Sequence, residues 1–387
     1  MTVTSPLGFV AAGVAAGIKA SGDPDLSLVA TDDGRPVTAA AVFTQNLACA
    51  APVQVSRAHL AATGGRAAAV VLNSGNANAA TGPAGMAVAE EMCALVATGL
   101  GCDPEHVLVC STGLIGIPLS AEPFEAGVPA ALARRRADGG AEAAQAIMTT
   151  DTVPKEAAVT ASGITAGGMA KGAAMLAPNM ATMLAVLTID AEVGTAALQR
   201  SLQAAVDASF NRLTVDGCTS TNDTVIVLAS GRAGPADEVL VTGLLTEVAT
   251  SLARQMCEDA EGATKVVRVR VEGAATEEEA AAAARKVAQS QLVKCSWYGQ
   301  DPYWGRVLSE LGTAGVALDL DALTIAYGDE VVSRGAVEVD HDRAAVAAHM
   351  AGRCLLVTCD LGVGSASWFL LTNDLTHAYV DENMGTS

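Results

Sequence analysis

A short loop that ends at a threonine constrains this chain of 387 residues more than any other feature. Residues 171–184 read KGAAMLAPNMATML, so glycine and proline interrupt the chain before Thr182, and an apolar run follows over residues 183–189. An apolar run bounded by turn-forming residues predicts a buried strand. The pattern therefore presents one hydroxyl group at the start of a strand. The simplest interpretation of Thr182 alone is an ordinary β-branched strand residue.

The same arrangement suits a self-cleaving enzyme with an N-terminal nucleophile. Attack of the Thr182 hydroxyl on the Ala181 carbonyl, followed by hydrolysis of the ester, would make Thr182 a new chain terminus. Its freed α-amine, with an ordinary pKa of ~8, would then act as a base for its own hydroxyl. One residue would supply both halves of a nucleophile–base pair.

Short motifs along the chain resemble those of the ornithine acetyltransferase family, the glutamate N-acetyltransferases of the cyclic arginine pathway. In that family the chain is cut between Ala and Thr, which correspond here to Ala181 and Thr182. The resemblance runs in order from about Gly8 to Tyr379. Its segments are 41–44 (AVFT), 51–53 (APV), 73–79 (NSGNANA), 111–113 (STG), 149–152 (TTDT), Lys155, 210–212 (FNR), 219–224 (TSTNDT), 261–265 (EGATK) and 301–306 (DPYWGR).

The resemblance implies a set of site residues. It places the oxyanion hole on Thr112 and Gly113, and it makes Thr182 the nucleophile and Glu261 a further catalytic group. Without the resemblance, Thr112 and Gly113 would be interpreted as an ordinary glycine turn. Thr182 would be a strand residue, and Glu261 would belong to a solvated acidic loop. The implied substrate contacts are Thr149, Lys171, Thr182, Glu261, Asn383 and Ser387.

The end of the chain departs from the family's pattern. The family usually carries a hydroxyl residue five positions after the asparagine that corresponds to Asn383, whereas Ser387 lies four positions after it. Either Ser387 takes that role after a one-residue deletion, or the contact is missing. Further departures are Cys218, where an acidic residue is common, and Tyr303, where asparagine is common. These departures affect the expected substrate preference more than the expected self-cleavage.

Periodicity predicts a mixed fold. The predicted strands cover residues 68–72, 183–189, 224–229, 266–271 and 355–359, and the predicted helices cover residues 85–100, 195–210, 237–257 and 276–289. Because strands and helices do not alternate regularly, the order favours an α+β fold over a doubly wound sheet. The resemblance implies a layered α/β/β/α sandwich of the ornithine acetyltransferase type. Cleavage would divide this single fold into an alpha chain, residues 1–181, and a beta chain, residues 182–387. The small, polar segment 137–145 is predicted to be a surface excursion.

Composition narrows the function classes. A net charge of −19 argues against nucleic acid or an anionic membrane as a partner. The nine cysteines lack CxxC spacing, which favours a reducing compartment over a disulfide framework. With no basic, apolar leader at the start and no run of ~18 apolar residues, a cytoplasmic location is predicted. The five histidines show no metal-ligand spacing, so neither a metal nor another cofactor is predicted.

The predicted activity is acetyl transfer from N2-acetyl-L-ornithine to L-glutamate through an acetyl ester on Thr182, in a ping-pong sequence. The resemblance also implies a heterotetramer of two alpha and two beta chains. Several alternatives stay open. Water as the acceptor would make the protein an amidohydrolase or aminopeptidase, and acetyl-coenzyme A as a donor would add an N-acetylglutamate synthase activity. The remaining two alternatives are a relative that acts on another amino acid in secondary metabolism and a self-processed binding protein without catalytic turnover.

Overall fold

The computed structural model describes residues 2–177 and 183–385. The predicted cleavage residues Ala181 and Thr182, and the predicted substrate contact Ser387, lie outside the described residues. The chain divides into two compact units, the first formed by residues 1–211 and 218–256 and the second by residues 212–217 and 257–387.

The first unit contains two mixed sheets and six helices in its described part. Its strands are Phe9–Val14 (β1), Leu26–Thr31 (β2), Val37–Phe43 (β3), Arg66–Ala67 (β4), Ala69–Asn76 (β5), Val107–Leu114 (β6), Lys155–Ala161 (β7), Ile164–Lys171 (β8), Leu184–Glu192 (β9) and Thr224–Pro235 (β10). One sheet has the order β1-β2-β5-β6 and the other the order β4-β3-β10-β9-β8-β7. The helices are Ala51–Ala62 (α1), Gly82–Leu100 (α2), Glu122–Arg134 (α3), Gly140–Ala146 (α4), Thr195–Ala208 (α5) and Glu238–Glu258 (α6).

These elements form four layers. The two sheets pack face to face through aliphatic side chains, among them Val70 of the first sheet and Val186 of the second. Helices α2 and α3 cover the outer face of the first sheet, where Met92 and Phe124 share a core with its strands. On the second sheet, α6 packs so closely on β8 that a Cβ at Gly168 would lie 3.0 Å from the Val248 side chain. The predicted α/β/β/α arrangement is confirmed.

The predicted surface excursion at residues 137–145 is wrong. Residues of this segment form α4, whose Ala143 and Ala144 are fully buried. The helix lies against β1, where a Cβ at Gly13 would come within 2.0 Å of the Glu142 carbonyl oxygen. Small residues on both elements permit this close approach, while Glu142 pairs with Arg136 at the surface. The segment's small side chains therefore mark a tight contact and not a loop.

The second unit is one sheet with helices on one face. Its described strands and helices are Val266–Ala274 (β11), Thr324–Tyr327 (β12), Glu330–Arg334 (β13), Val337–Glu338 (β14), Cys354–Asp360 (β15), Ala366–Asn373 (β16), Glu277–Ala288 (α7), Gln291–Tyr298 (α8), Trp304–Leu311 (α9), Arg343–Ala351 (α10) and His377–Glu382 (α11). The sheet order is β14-β13-β12-β15-β11-β16. Along β11, Val267 and Val269 join the core with Trp297, whereas Arg268 is exposed. This alternation is that of a sheet with one buried face.

The predicted strands and helices are confirmed, with shifts at their ends. The five predicted strands correspond to β5, β9, β10, β11 and β15, and the four predicted helices correspond to α2, α5, α6 and α7. Helix α7 begins as its sequence indicates, because the Thr276 side chain accepts a hydrogen bond from the Glu279 amide and acidic residues fill the first turn.

Candidate active site

Two of the predicted site residues of the first unit lie in contact. Lys171 is the last residue of β8, and Thr112 lies near the end of β6. The Lys171 Nζ donates a hydrogen bond of 3.2 Å to the Thr112 Oγ1, and Lys171 is 8% exposed. A buried ammonium group beside a hydroxyl is a source of positive potential of the kind that can stabilise an oxyanion.

Gly113 is required by the close approach of two strands. Its φ is +133°, a conformation that L side chains rarely adopt. A Cβ at Gly113 would lie 2.3 Å from the carbonyl carbon of Gly75 on the neighbouring strand β5. Only glycine therefore fits at this close approach of β5 and β6.

Asn222 joins three of the sequence motifs. Its Nδ2 donates hydrogen bonds to the Ala77 carbonyl oxygen at 2.6 Å and to the Ser111 carbonyl oxygen at 2.9 Å. Segments 73–79, 111–113 and 219–224 therefore meet at one buried amide. Because these bonds span more than a hundred residues of sequence, local patterns gave no sign of them.

The Asp151 carboxylate binds two backbone amides. One belongs to the predicted substrate contact Thr149, and the other belongs to Gly172, which follows the predicted contact Lys171. Its Oδ2 accepts from the Thr149 amide at 3.0 Å, and its Oδ1 accepts from the Gly172 amide at 2.8 Å. The Lys155 Nζ lies 2.5 Å from Oδ1, and both side chains are fully buried. Burial alone would raise the pKa of Asp151, but Lys171, Lys155 and the hydrogen bonds lower it to about 2.

A second buried carboxyl group, Asp223, holds the start of β9. Its Oδ1 accepts a hydrogen bond of 3.0 Å from the Met183 amide, which belongs to the peptide bond that follows Thr182. Burial raises the pKa of Asp223 well above its usual range, although the Met183 amide, the Ser220 hydroxyl and Lys171 favour the charged form. Its Oδ2 has no hydrogen-bond partner within bonding distance in the described part of the chain. Sequence reasoning named Asp223 only as part of a motif.

The second unit brings together the other two predicted residues that the structure describes. Glu261 is 8% exposed and precedes β11. The Asn383 Nδ2 donates to the Glu261 Oε2 at 2.7 Å and to the Tyr379 carbonyl oxygen at 2.9 Å. Gly262, with a φ of +60°, lets the loop pass close to Tyr379, whose amide nitrogen would lie 2.3 Å from a Cβ there. Glu261 and Asn383 thus form one polar cluster.

Neither a cluster of metal ligands nor a membrane-spanning helix is present in residues 2–177 and 183–385. Within these ranges, no three His, Cys, Asp or Glu side chains are grouped as metal ligands. Over the same ranges, no helix combines the length and the apolar composition that crossing a membrane requires.

Known proteins match the chain over its length. A model of the ArgJ family matches residues 10–385. Two relatives, both named arginine biosynthesis bifunctional protein ArgJ, cover 100% of this chain and 100% of their own length. The protein from Thermobifida fusca is 49% identical over 388 residues, and that from Streptomyces coelicolor is 47% identical over 394 residues. A solved structure of ornithine acetyltransferase from Mycobacterium tuberculosis, complexed with ornithine, is 45% identical. It covers 47% of this chain and 95% of its own, with a TM-score of 0.42.

Proposed function

Because this chain belongs to the ArgJ family, we propose that it moves the acetyl group of N2-acetyl-L-ornithine to L-glutamate through an ester on Thr182. Membership of the family confirms the resemblance that the sequence motifs indicated. The enzyme is an acetyltransferase of arginine biosynthesis. The observation that best supports the residue assignment is the buried hydrogen bond from Lys171 to Thr112, because it puts a cation at the predicted oxyanion hole.

The proposed mechanism begins with self-cleavage. The Thr182 hydroxyl attacks the Ala181 carbonyl, the peptide nitrogen leaves as an amine, and water hydrolyses the ester. The same hydroxyl then takes the acetyl group of acetylornithine, releasing ornithine, and passes it to the amine of glutamate. Thr112, Gly113 and Lys171 stabilise the tetrahedral oxyanion in each step. Thr149, Glu261 and Asn383 bind polar groups of the substrate, and so does Ser387 if it replaces the family's terminal hydroxyl residue.

The cut chain should remain one molecule. Strand β8 belongs to residues 1–181 and strand β9 to residues 182–387, and these strands pair from Lys171–Leu184 to Ala166–Ile189. Strand β10 of the second fragment likewise pairs with β3 of the first. Separating the fragments would break two ladders in the middle of a buried sheet. We propose that the pairs associate further as α2β2, as the family resemblance implies.

Two further points of the proposal concern donors and location. The relatives are named bifunctional, and acetyl-coenzyme A as a second acyl donor would give N-acetylation of glutamate as the other activity. The four most deeply buried cysteines, Cys93, Cys110, Cys257 and Cys359, form no disulfide, and burial raises the pKa of each of these thiols. Unpaired thiols suit the reducing cytoplasm.

An assay of the acceptor tests the proposal directly. The cleaved enzyme is incubated with N-acetylornithine alone, then with glutamate added. We expect acetylated protein without glutamate, and N-acetylglutamate with ornithine in equal amounts when it is present. Parallel lines in double-reciprocal plots would accompany a ping-pong sequence. Release of free acetate at the same rate with and without glutamate would instead identify a hydrolase.

Thr112→Val should slow transfer strongly. Valine keeps the β-branched shape but removes the hydroxyl that contacts Lys171, and loss of one oxyanion-hole donor costs roughly 10²–10³ in kcat. Single-turnover acetylation of the cleaved enzyme by N-acetylornithine measures the effect. Thr98→Val, on the exposed face of α2, is the matched control. A Thr112→Val rate within twofold of the parent would remove Thr112 from the proposed oxyanion hole.

Glu261→Gln should weaken substrate binding. Glutamine keeps the side-chain length but loses the charge that holds an ammonium group, so we expect KM to rise roughly ten- to a hundredfold, the range of a charge-assisted hydrogen bond. Steady-state kinetics with N-acetylornithine and glutamate measure this. Glu382→Gln serves as the control, because Glu382 is exposed and adjacent in sequence to Asn383. Unchanged constants for both substrates would place Glu261 outside the site.

A further inference from the structure

Two side chains that are neighbours in sequence contact two parts of the proposed reaction centre. The Asn222 Nδ2 donates a hydrogen bond of 2.9 Å to the Ser111 carbonyl oxygen. The Asp223 Oδ1 accepts one of 3.0 Å from the Met183 amide. The Ser111 carbonyl belongs to the peptide unit that carries the Thr112 amide, and Met183 follows the proposed nucleophile in sequence. One dipeptide therefore binds the chain beside the predicted oxyanion hole and the chain beside the nucleophile.

The Asn222 amide is fixed in orientation by its partners. Besides the Ser111 carbonyl, its Nδ2 binds the Ala77 carbonyl oxygen at 2.6 Å, and its Oδ1 accepts from the Thr221 hydroxyl. An amide NH2 group has two N–H donors, so the two carbonyl oxygens use both of them. Asn222 is 5% exposed, and a buried, fully bonded amide holds its partners in one arrangement.

Met183 is held at both of its backbone polar groups. Asp223 accepts from its amide, and its carbonyl oxygen accepts from the Thr224 amide at 3.0 Å. Asp223 and Met183 are both buried. Two consecutive residues at the start of β10 therefore bind the amide and the carbonyl of one residue. This arrangement fixes the position and the direction of the chain where β9 begins.

The loop that precedes β10 is itself bonded to the rest of the first unit. The Thr44 amide donates to the Asp223 carbonyl oxygen at 2.9 Å, and the Thr44 hydroxyl donates to the Ser220 carbonyl oxygen at 3.0 Å. The Ala50 amide donates to the Thr221 carbonyl oxygen at 3.0 Å. Because these bonds hold the loop's backbone, its side chains project from fixed points.

Covalent geometry sets the spacing of the two contacts. The Cα atoms of neighbouring residues lie ~3.8 Å apart across a trans peptide bond, so the side chains of Asn222 and Asp223 begin at a constant separation. Acyl transfer requires the attacking oxygen and the oxyanion donors to keep their relative positions, and a misplacement of ~1 Å can lower a rate by ~10²-fold. Attachment of both parts to one dipeptide meets this requirement.

We propose that Asn222 and Asp223 are positioning residues for acetyl transfer. Asn222 holds a peptide unit of the oxyanion hole, and Asp223 holds the residue that follows the nucleophile. Together they set the separation between the nucleophile and the oxyanion hole. The inference rests on the proposed function, because it assumes that Thr182 carries the acetyl ester. In this role neither side chain makes or breaks a bond to the substrate.

Alanine at either position should slow acetylation of the cut enzyme. Asp223→Ala removes the acceptor of the Met183 amide, and Asn222→Ala removes the donor to the Ser111 carbonyl. We expect each variant to lower the single-turnover rate of acetylation roughly 10- to 100-fold. The N-acetylornithine concentration at half-maximal rate should change less than about threefold, because neither side chain binds the substrate. Rates refer to cut protein, whose fraction is measured by intact mass.

Asp223→Asn separates the hydrogen bond from the charge of the carboxyl group. Asparagine keeps a side-chain oxygen for the Met183 amide, so this variant should recover most of the rate that Asp223→Ala loses. A carboxyl group that acts through its proton or its charge would leave the asparagine variant as slow as the alanine variant. That result would overturn the positioning role of Asp223.

The double variant distinguishes one shared spacing from two independent contacts. If both side chains set the same separation, breaking either contact releases it. Asn222→Ala/Asp223→Ala should therefore be slower than the slower single variant by no more than about threefold. Independent structural effects would instead multiply, so a rate loss equal to the product of the two single losses would contradict the proposal.

Asp190→Ala is the matched control. Asp190 lies near the other end of β9, is 2% exposed, and accepts hydrogen bonds from the Leu7 amide at 3.1 Å and the Thr165 amide at 2.8 Å. Its loss should lower the thermal transition but leave the acetylation rate of folded, cut protein within about twofold of the parent. An equal loss of acetylation in this control, or parental rates in both single alanine variants, would overturn the assignment.

Folding and self-cleavage are measured before the rates. If Asn222→Ala or the double variant fails to fold, as judged by its thermal transition, then Asp223→Ala, Asp223→Asn and Asp190→Ala decide the question. A folded Asp223→Ala chain that stays uncut while Asp223→Asn is cut supports the same role, because one hydroxyl performs both reactions; failure of both to cut counts against it. Wild-type enzyme that is cut but never forms the acetyl ester would instead overturn the proposed function.

Discussion

Thr182→Ala should give a single uncut chain of 38.8 kDa without acetyl transfer. Alanine removes the hydroxyl that we propose attacks Ala181, so the peptide bond between residues 181 and 182 should stay intact and no N-terminal amine should be released. The same change removes the group that would carry the acetyl ester. Loss of a catalytic nucleophile lowers kcat on the order of 10⁶-fold in other enzymes, which here means no measurable turnover. Denaturing gels, intact mass and the transfer assay measure the three consequences.

Thr182→Ser is the matched control for this prediction. Serine keeps the hydroxyl and, after cleavage, the amine, so fragments of residues 1–181 and 182–387 should still appear and some transfer should persist. Cleavage of the alanine variant at the same bond, or a folded and fully active wild-type chain that is continuous across Ala181 and Thr182, would contradict the mechanism.

Lys155→Met should destabilise the first unit by up to about 3–5 kcal/mol, because removing one partner of a buried ion pair leaves the other charge less well compensated. The Lys155 Nζ lies 2.5 Å from the Asp151 Oδ1, and neither side chain is exposed. Methionine fills a similar volume without a charge. Denaturant unfolding of both proteins in the Thr182→Ala background, where the chain stays in one piece, measures the change in midpoint.

The same pair predicts how stability responds to acid. The pKa of Asp151 in the folded protein, about 2, lies below its ordinary value of 3.8. A lowered carboxyl pKa stabilises the fold above the ordinary value and ceases to do so as the pH falls towards 2, a contribution of about 2 kcal/mol. This acid-dependent contribution to the free energy of unfolding should be smaller in the Lys155→Met protein. Lys286→Met, at an exposed lysine, should change stability by less than about 0.5 kcal/mol. Equal midpoints for the Lys155→Met protein and its parent would show that Lys171 alone compensates Asp151.

Some site residues can be recognised from sequence motifs, whereas others can be recognised only in the tertiary structure. Motif resemblance picked out Thr112, Lys171, Glu261 and Asn383, and the structure places each in a hydrogen-bonded pair within its own unit. Their chemical roles remain predictions that the variants above test. Asp223 belongs to one of the motifs but is not among the predicted site residues, because what distinguishes it is one bond to the Met183 amide, forty positions away in sequence. A carboxyl group inside a polar motif gives no local sign of the partner that it will meet.

The sequence by itself determined the features that depend on residues close to one another along the chain. The apolar run before residue 189 is long enough to be a buried strand, and the acidic start of α7 with its Thr276 cap follows from helix-end chemistry. The order of the short motifs along the chain also indicated the family to which the protein belongs. Tertiary structure alone decided that residues 140–146 form a packed helix and that Asp151 joins Thr149 to Gly172. It alone brought the Asn222 side chain to the Ser111 carbonyl. These features depend on the distance in space between residues remote in sequence, which periodicity and spacing do not encode.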